Sequence, residues 1–312
     1  MPRVSYVVTV YNKAPYLPFV VDGLASQLGD FEREFIFVND GSRDDSLAVL
    51  QRLTAGWSDR RVIDQPNGGP AVALNAGLRA ARGDFIKTLD GDDMLMPRAT
   101  AALLDAVGTT GAGLAFGPAD SYVPADGLDA ARRRARDLDR SGKAELVPDA
   151  LRATLRRAQT TTSSWLARAE LVHRVGGCDP GVFVQDYSIE LRLSHAAAFA
   201  RVPLVVYLQP SSAPGRQSEQ GAQELHDINL AVARFVEREV HLPLALRRYA
   251  LRRAAGRAWH YARRHAGKSF LSQEFWRHVR ASVGLGAADA DAIRDTCDIF
   301  RATSPIKLVE TG

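Results

Sequence analysis

A chain of 312 residues is long enough for one large α/β domain with an appendage, or for two domains. Its composition, 46% hydrophobic and 24% charged with 25 glycines and 15 prolines, excludes a collagen-like or wholly disordered chain. Cys178 and Cys297 lie far apart without CxxC spacing, which excludes a disulfide scaffold and a cysteine-rich zinc module and leaves two buried thiols in a reducing compartment. The net charge of +4 hides a division, since residues 1–120 carry a net −4 and residues 241–280 a net +9.

The first hundred residues read as repeated strand–helix units. Val4–Val10 is a Val-rich apolar run, and Lys13–Leu28 has helical spacing with Pro15 and Pro18 near its start. Glu34–Val38 reads as a second strand, Asn39–Ser42 as a turn and Asp44–Leu53 as a helix. Arg61–Gln65, the turn Pro66–Pro70, the helix Ala71–Ala81 and the strand Phe85–Leu89, ending at Asp90, complete the series. Strands alternating with helices of about ten residues argue for βαβ units on a parallel sheet, whose ligands bind at the strands' carboxyl ends. Ala99–Val107 then reads as a helix and Gly113–Phe116 as a strand. The arginine-rich run Ala130–Arg136 reads as the solvated face of a helix, and Gln185–Ala200 as a further helix. After Glu224 the pattern is helical: His226–Val240, Pro243–Ala266 and Leu271–Val283.

The longest apolar stretch, near Ala196–Leu208, is broken by Arg201 and Pro203 and falls short of the ~20 apolar residues a membrane helix needs. Val4–Val10 is too short for a signal-peptide core, so a cytoplasmic location is expected, or a peripheral one at the inner face of a membrane. The basic block Arg247–Lys268 is interleaved with Tyr249, Trp259, Tyr261 and Phe270. It suits either an anionic membrane surface met through residues 243–270 or a solvated face on a packed helix. Nucleic acid is the weaker partner, because no recognition module accompanies the charge.

Three turns carry chemistry. Asp90-Gly91-Asp92-Asp93 places three carboxylates in four residues, which repel one another unless a cation joins them. A hard divalent ion, Mg²⁺ or Mn²⁺, takes one or two such carboxylates and completes its shell with substrate phosphates; an acidic surface turn is the plain alternative. Asp40, in Asn39-Asp40-Gly41-Ser42, suits either a nucleobase N–H or ribose hydroxyl, or the cap of the next helix. Asn67-Gly68-Gly69-Pro70 is either a phosphate-facing turn or simply a helix start, and it lacks the Lys-Ser/Thr of a P-loop.

Four ordered blocks, TVYNKAPYL, EFIFVNDGSRDDS, QPNGGPAVALNAGLRAARGDFIKTLDGDD and GGCDPGVFVQDYSIELRL, together resemble the inverting family 2 glycosyltransferases of the GT-A fold. The likeness is strong over residues 4–120 and moderate over 158–208. It implies a GT-A type α/β fold with a mostly parallel central sheet flanked by helices and a helical C-terminal extension. It also implies a catalytic domain over 1–222, with a nucleotide-sugar half at 1–120 and an acceptor half at 121–222, followed by a basic helical region at 223–312.

By the same resemblance, Tyr11 and Asp40 flank the base of a nucleoside-diphosphate sugar, with Asp64 and Asn67 as further donor contacts. Asp90, Gly91 and Asp92 hold the ribose and diphosphate, and Asp92, Asp90 and Asp93 hold Mn²⁺ or Mg²⁺. Asp186 matches the catalytic base, although Gln185 stands where the family usually has Glu. Arg192 holds the diphosphate or pairs with Glu190 or Asp186. Arg216, in the Pro/Gly/Ser-rich stretch Gln209–Ser218, is a poor match to a closing-loop motif. The activity implied is transfer of a sugar, from a UDP-linked donor, to a saccharide or lipid-linked saccharide in cell-surface polysaccharide synthesis. A sugar nucleotidyltransferase is the enzymatic rival, but Val10-Tyr11-Asn12-Lys13 offers no glycine-rich phosphate loop. A degenerate saccharide-binding or scaffold protein of the same fold is the non-enzymatic rival, kept open by Gln185.

Overall fold

The computed structural model describes residues 1–138, 142–211 and 221–307. Its first ninety residues wind through β1 (Arg3–Val10), α1 (Leu17–Ala25), β2 (Glu32–Asp40), α2 (Ser46–Leu53), β3 (Arg60–Gln65), α3 (Pro70–Ala80) and β4 (Phe85–Asp90). There follow β5 (Met94–Leu95), α4 (Ala99–Thr110), β6 (Leu114–Phe116), β7 (Ala119–Tyr122), α5 (Gly127–Asp137), β8 (Glu145–Leu146) and α6 (Ala150–Arg156). The chain continues through β9 (Trp165–Arg168), α7 (Ala169–Val175), α8 (Gln185–Ala196), β10 (Phe199–Arg201) and β11 (Tyr207–Pro210). It ends in helices α9 (Gly221–Arg238), α10 (Leu244–His265), α11 (Gln273–Ser282), α12 (Ala290–Arg294) and α13 (Asp298–Thr303).

Among the described residues eight strands form the main sheet, in the order β3-β2-β1-β4-β9-β6-β10-β8. The four strands from β3 to β4 are parallel, β9 runs antiparallel to both its neighbours, β10 is parallel to β6, and β8 is antiparallel at the edge. A small sheet, β5-β11-β7, stands apart from it. The architecture is the mixed, mostly parallel α/β sheet with flanking helices and a helical C-terminal extension that the sequence resemblance implies. β1 is buried at nearly every position, as a central strand covered on both faces must be. Gly77 lets α3 lie directly on Val7 and Val38, where any side chain would collide.

Two boundaries differ from the sequence reading for local reasons. α1 begins at Leu17 rather than Lys13, because the backbone N–H groups of Lys13 and Ala14 donate to Ser46 Oγ (2.7 Å) and Asp44 Oδ2 (3.2 Å) instead of entering a helix. The helix read over Gln185–Ala200 stops at Ala196. No breaker marks that point, yet Phe199 and Ala200 pair with Leu114 and Ala115 as buried strand residues. The arginine run of α5 is solvated, with Arg132, Arg133, Arg134 and Arg136 exposed and only Ala131 and Ala135 buried.

Contacts divide the chain into two compact units. One joins Met1–Ala150, Thr160–Cys178 and the stretch from Leu193, and contains both sheets. Its core includes Tyr6, Val8, Leu24, Phe37, Leu89, Leu103 and Leu166. The other joins Leu151–Gln159, Asp179–Arg192 and α9 onward, around Leu155, Tyr187, Leu191, Val232, Phe235 and Ile293. Within it Arg301 Nε donates to His226 Nε2 (3.0 Å), so the ring's proton sits on Nδ1, which faces Asp227 Oδ1 at 2.7 Å. Both cysteines are buried and unbridged, and no helix among the described residues is long and apolar enough to cross a membrane.

Candidate active site

The loops that follow β1, β2, β3 and β4 leave the carboxyl ends of four adjacent parallel strands, in a register that sets Val10 beside Asn39, Asp40 beside Gln65 and Thr9 beside Asp90. The first two loops are laced together. Asn12 N–H donates to Ser42 Oγ (3.0 Å), and Arg43 N–H donates to Asn12 Oδ1 (2.8 Å). Asn12 has φ 54°, a left-handed conformation that asparagine tolerates better than most residues. Tyr11, next to it, is 42% exposed and so available to a ligand.

Asp40 is buried, and its carboxylate serves its own fold. Oδ1 accepts from Gln65 Nε2 (2.8 Å) and Gly68 N–H (2.9 Å), and Oδ2 accepts from Gly69 N–H (2.9 Å). Asn67 Nδ2 donates to the Asp40 carbonyl at 2.9 Å. The amides of the Asn67–Pro70 turn thus hold an anion, and that anion is Asp40. Gly41 (φ 67°) permits the approach, since a Cβ there would meet Asn67 N at 2.7 Å. Asp64 is exposed and accepts from Asn39 Nδ2 at 2.7 Å. Beside these groups lies a cleft of about 620 Å³ whose lining includes Asn39, Gly41, Ser42, Asp64 and Gln65.

The acidic turn is anchored from below. Gly91 packs against the end of β1, where a Cβ would sit 2.7 Å from Thr9 O. Asp90 N–H donates to Ser163 Oγ (2.9 Å), and Tyr122 OH donates to the Asp92 carbonyl (2.8 Å). Asp92 and Asp93 are both buried, and Asp92 Oδ2 takes an ammonium, Lys13 Nζ, at 2.5 Å. Beneath the turn Lys87 is fully buried, with Nζ donating to Thr88 O (2.6 Å) and Ser163 O (2.7 Å). Burial pushes its pKa down to about 7, against the pull of Asp93 and Asp90. Sequence reasoning passed over Lys87, Ser163 and Tyr122; the available signal was a lysine inside the apolar strand Phe85–Leu89. Among the described residues no group of three or more His, Cys, Asp and Glu side chains is placed to hold a metal ion by itself.

In the second unit Asp186 stands in the first turn of α8, where Oδ1 accepts Tyr187 N–H at 2.8 Å. Burial, with the charge of Glu224 adding to it, pushes its carboxyl up to about 6. Arg192 pairs with Asp179 (3.2 Å), which Arg234 also holds at 2.8 Å. Glu190 is buried and accepts from Thr154 Oγ1 and Gln159 N–H, each at 2.7 Å. Gln185 starts α8, and its carbonyl accepts from Ser188 Oγ. Arg216 and the rest of its stretch beyond Ser211 lie outside the described residues.

The family model described as Glycosyl transferase family 2 matches residues 5–164, from the middle of β1 to the Ser163–Ser164 turn beneath Asp90. An uncharacterized glycosyltransferase, EpsJ, of Bacillus subtilis (strain 168) is 42% identical over 94 residues, which are 30% of this chain and 27% of that protein. A chondroitin synthase of Pasteurella multocida (strain Pm70) is 38% identical over 99 residues, 32% of this chain and 10% of the synthase. The matched stretches thus span less than a third of these relatives. In fold, the chain is similar to S. aureus TarS 1-349, with a TM-score of 0.61 at 15% identity over 97% of this chain and 92% of that one. It is also similar to the mannosyltransferase PcManGT of Pyrobaculum calidifontis in complex with GDP-Man and Mn²⁺, with a TM-score of 0.55 at 18% identity over 97% and 86% of the two chains.

Proposed function

This chain belongs to the family 2 glycosyl transferases, and from that premise we propose that it moves a sugar from a UDP-linked donor to a saccharide or lipid-linked saccharide acceptor, by a single displacement with inversion. The observation that carries this reading is the cation held at Asp92. A buried carboxylate at a strand's carboxyl end already binds an ammonium, as a group built to meet positive charge does. With Asp90 two positions before it and Asp93 adjacent, it supplies the one or two protein oxygens that Mn²⁺ or Mg²⁺ takes when a diphosphate completes the shell. The ion's contribution is to neutralise the leaving diphosphate.

The chain's own residues do the rest. Tyr11, Asp64 and Asn67 receive the base and ribose, beside a cleft large enough for them. Asp40 organises the Gln65–Gly69 turn through three hydrogen bonds, which leaves its carboxylate a fourth acceptor position for the base. Gly91 lets the acidic turn sit against the end of β1, where it offers its backbone to the diphosphate. Asp186 takes the proton of the attacking acceptor hydroxyl, and a carboxyl displaced to about 6 is a stronger base than an ordinary aspartate while still ionised at neutral pH. Arg192, held on Asp179, supports α8 behind Asp186. This chemistry serves the synthesis of a surface polysaccharide from the cytoplasmic side.

The test is a panel of UDP- and GDP-sugars, with and without Mn²⁺, with the anomeric configuration of the product read by NMR. Metal-dependent transfer with inversion from a UDP-sugar is the expected outcome. Transfer with retention, or full activity in EDTA, overturns the mechanism.

A further inference from the structure

We propose that the C-terminal helical unit carries a second ligand site, a basic cleft along α10 that binds a phosphate-bearing anion. The cleft encloses about 560 Å³, within the range of small-molecule sites. Arg252, Arg253, Arg257 and Arg264 come to it from α10 and Arg156 from α6, and among the described residues no carboxylate shares the lining. His260 and His265 of α10 and His278 of α11 complete its nitrogen-rich wall. Positions 253, 257, 260 and 264 recur at intervals of three and four, so one face of one helix supplies most of the charge. The basic block is therefore not spread evenly around α10, whose opposite face is spent on packing through Ala254, Ala255, Ala258 and Ala262.

Independent of the charge, the cleft's walls contain donors with nothing to donate to. Arg253 Nε and Arg257 Nη2 are buried nitrogens that meet no hydrogen-bond partner among the described residues. Arg257 Nε donates to Asn229 Oδ1 at 2.7 Å, and Arg253 Nη2 donates to Arg156 O at 2.8 Å. Each guanidinium is thus anchored by one protein acceptor while a neighbouring nitrogen of the same group has none. Natural proteins rarely leave buried donors in this state, and an anion in the cleft would offset the burial of charge on these guanidinium groups. Arginine's planar fork and permanent charge fit phosphate best among anions of this size. Burial and the charge of Arg253 both work against the Arg257 cation in the absence of such a ligand.

The phosphate can belong to a soluble compound or to a lipid headgroup, and exposed Phe270, Leu271 and Trp276 next in sequence make the second source worth a separate arm. Titration calorimetry of the full chain in EDTA, which strips the donor site of the ion its diphosphate needs, would use pyrophosphate and glycerol phosphate as probes. Saturable 1:1 binding is expected. The double variant Arg252→Gln/Arg264→Gln, at two exposed positions that leave the core intact, should weaken it by about tenfold or more, and Arg257→Lys, which keeps the charge and loses the fork, by a similar factor. Arg263→Gln removes one charge from an exposed neighbour outside the cleft and should change affinity less than about twofold. Flotation with phosphatidylglycerol vesicles separates the sources. Vesicle binding that glycerol phosphate competes away assigns the site to a headgroup, and soluble binding without vesicle binding assigns it to a free phosphate compound. No saturable binding of either probe, or equal loss in Arg263→Gln and the double variant, overturns the proposal.

Discussion

Lys13 Nζ and Asp92 Oδ2, 2.5 Å apart, join the loop after β1 to the acidic turn after β4. Asp92 is buried and Lys13 half-buried, so their Coulomb attraction is less screened than at the surface. A divalent ion that uses Asp92 must displace the ammonium. Lys13→Met should therefore raise the Mn²⁺ affinity of the donor-free protein, by about three- to tenfold, while Asp92→Asn should abolish it. Calorimetric titration of Mn²⁺ decides the matter, and unchanged affinity in both variants would mean that Asp92 does not hold the ion.

Lys87 makes stability depend on pH in a specific window. Its pKa falls from 10.5 in the unfolded chain to about 7 in the fold, mainly through burial, with Asp93 and Asp90 opposing the fall. Between these values the unfolded chain holds a proton that the folded chain has released, so stability rises as pH rises from about 7 to about 10, by at most ~1.4 kcal/mol per pH unit. Below pH 7 the cost of the buried ammonium is present in full. Lys87→Met should remove this rise, as read from urea unfolding at pH 6, 8 and 10; an equal slope in the variant would locate the proton elsewhere.

Asp40→Ala strips three acceptor contacts from the Gln65–Gly69 turn and leaves the Gly68 and Gly69 amides unpaired. A loss of about 2–3 kcal/mol is expected, since hydrogen bonds to a buried charge are stronger than neutral ones. Hydrogen exchange at Gly68 and Gly69 should accelerate along with the fall in UDP affinity. Weakened UDP binding with both amides still protected would assign Asp40 to direct contact with the base alone.

The sequence displays what is local and periodic. Val-rich β1, the apolar half of β4 and the turn residues between them place Asp90–Asp93 at a strand's carboxyl end before any coordinates exist. β9, β7 and β11 are only four residues each, too short to carry a period, so the antiparallel strand beside β4 is invisible there. Partners chosen at long range are equally hidden. Asp40 reads as a ligand or a cap, and only the fold brings it the amides of residues 28 and 29 positions on. Arg192 has two acidic neighbours in its own helix, yet it pairs with Asp179, which also satisfies Arg234, 55 residues away. Lys87 interrupts an apolar strand, and nothing in its sequence neighbours announces that two carbonyls will accept its hydrogen bonds.

Asp186 is the residue on which the proposed displacement depends, and its environment predicts opposite effects on stability and activity. Burial and Glu224 raise its pKa from 3.8 to about 6, so between these values the folded chain keeps a proton that the unfolded chain has lost. Stability therefore falls as pH rises through that window, and at neutral pH the ionised carboxylate destabilises the fold. Asp186→Asn, neutral and of the same size, should raise the midpoint of urea unfolding at pH 7. The same substitution should leave UDP affinity intact and reduce transfer by about 10²–10⁴-fold, the usual worth of a general base. That loss corresponds to about 3–6 kcal/mol of transition-state stabilisation. In the native enzyme kcat/KM should fall below pH 6, where the base is protonated, and the variant's residual rate should lack that limb. A variant that is both stabilised and fully active would leave Asp186 as a strained structural group with no part in the chemistry; loss of UDP affinity would instead assign it to the donor site.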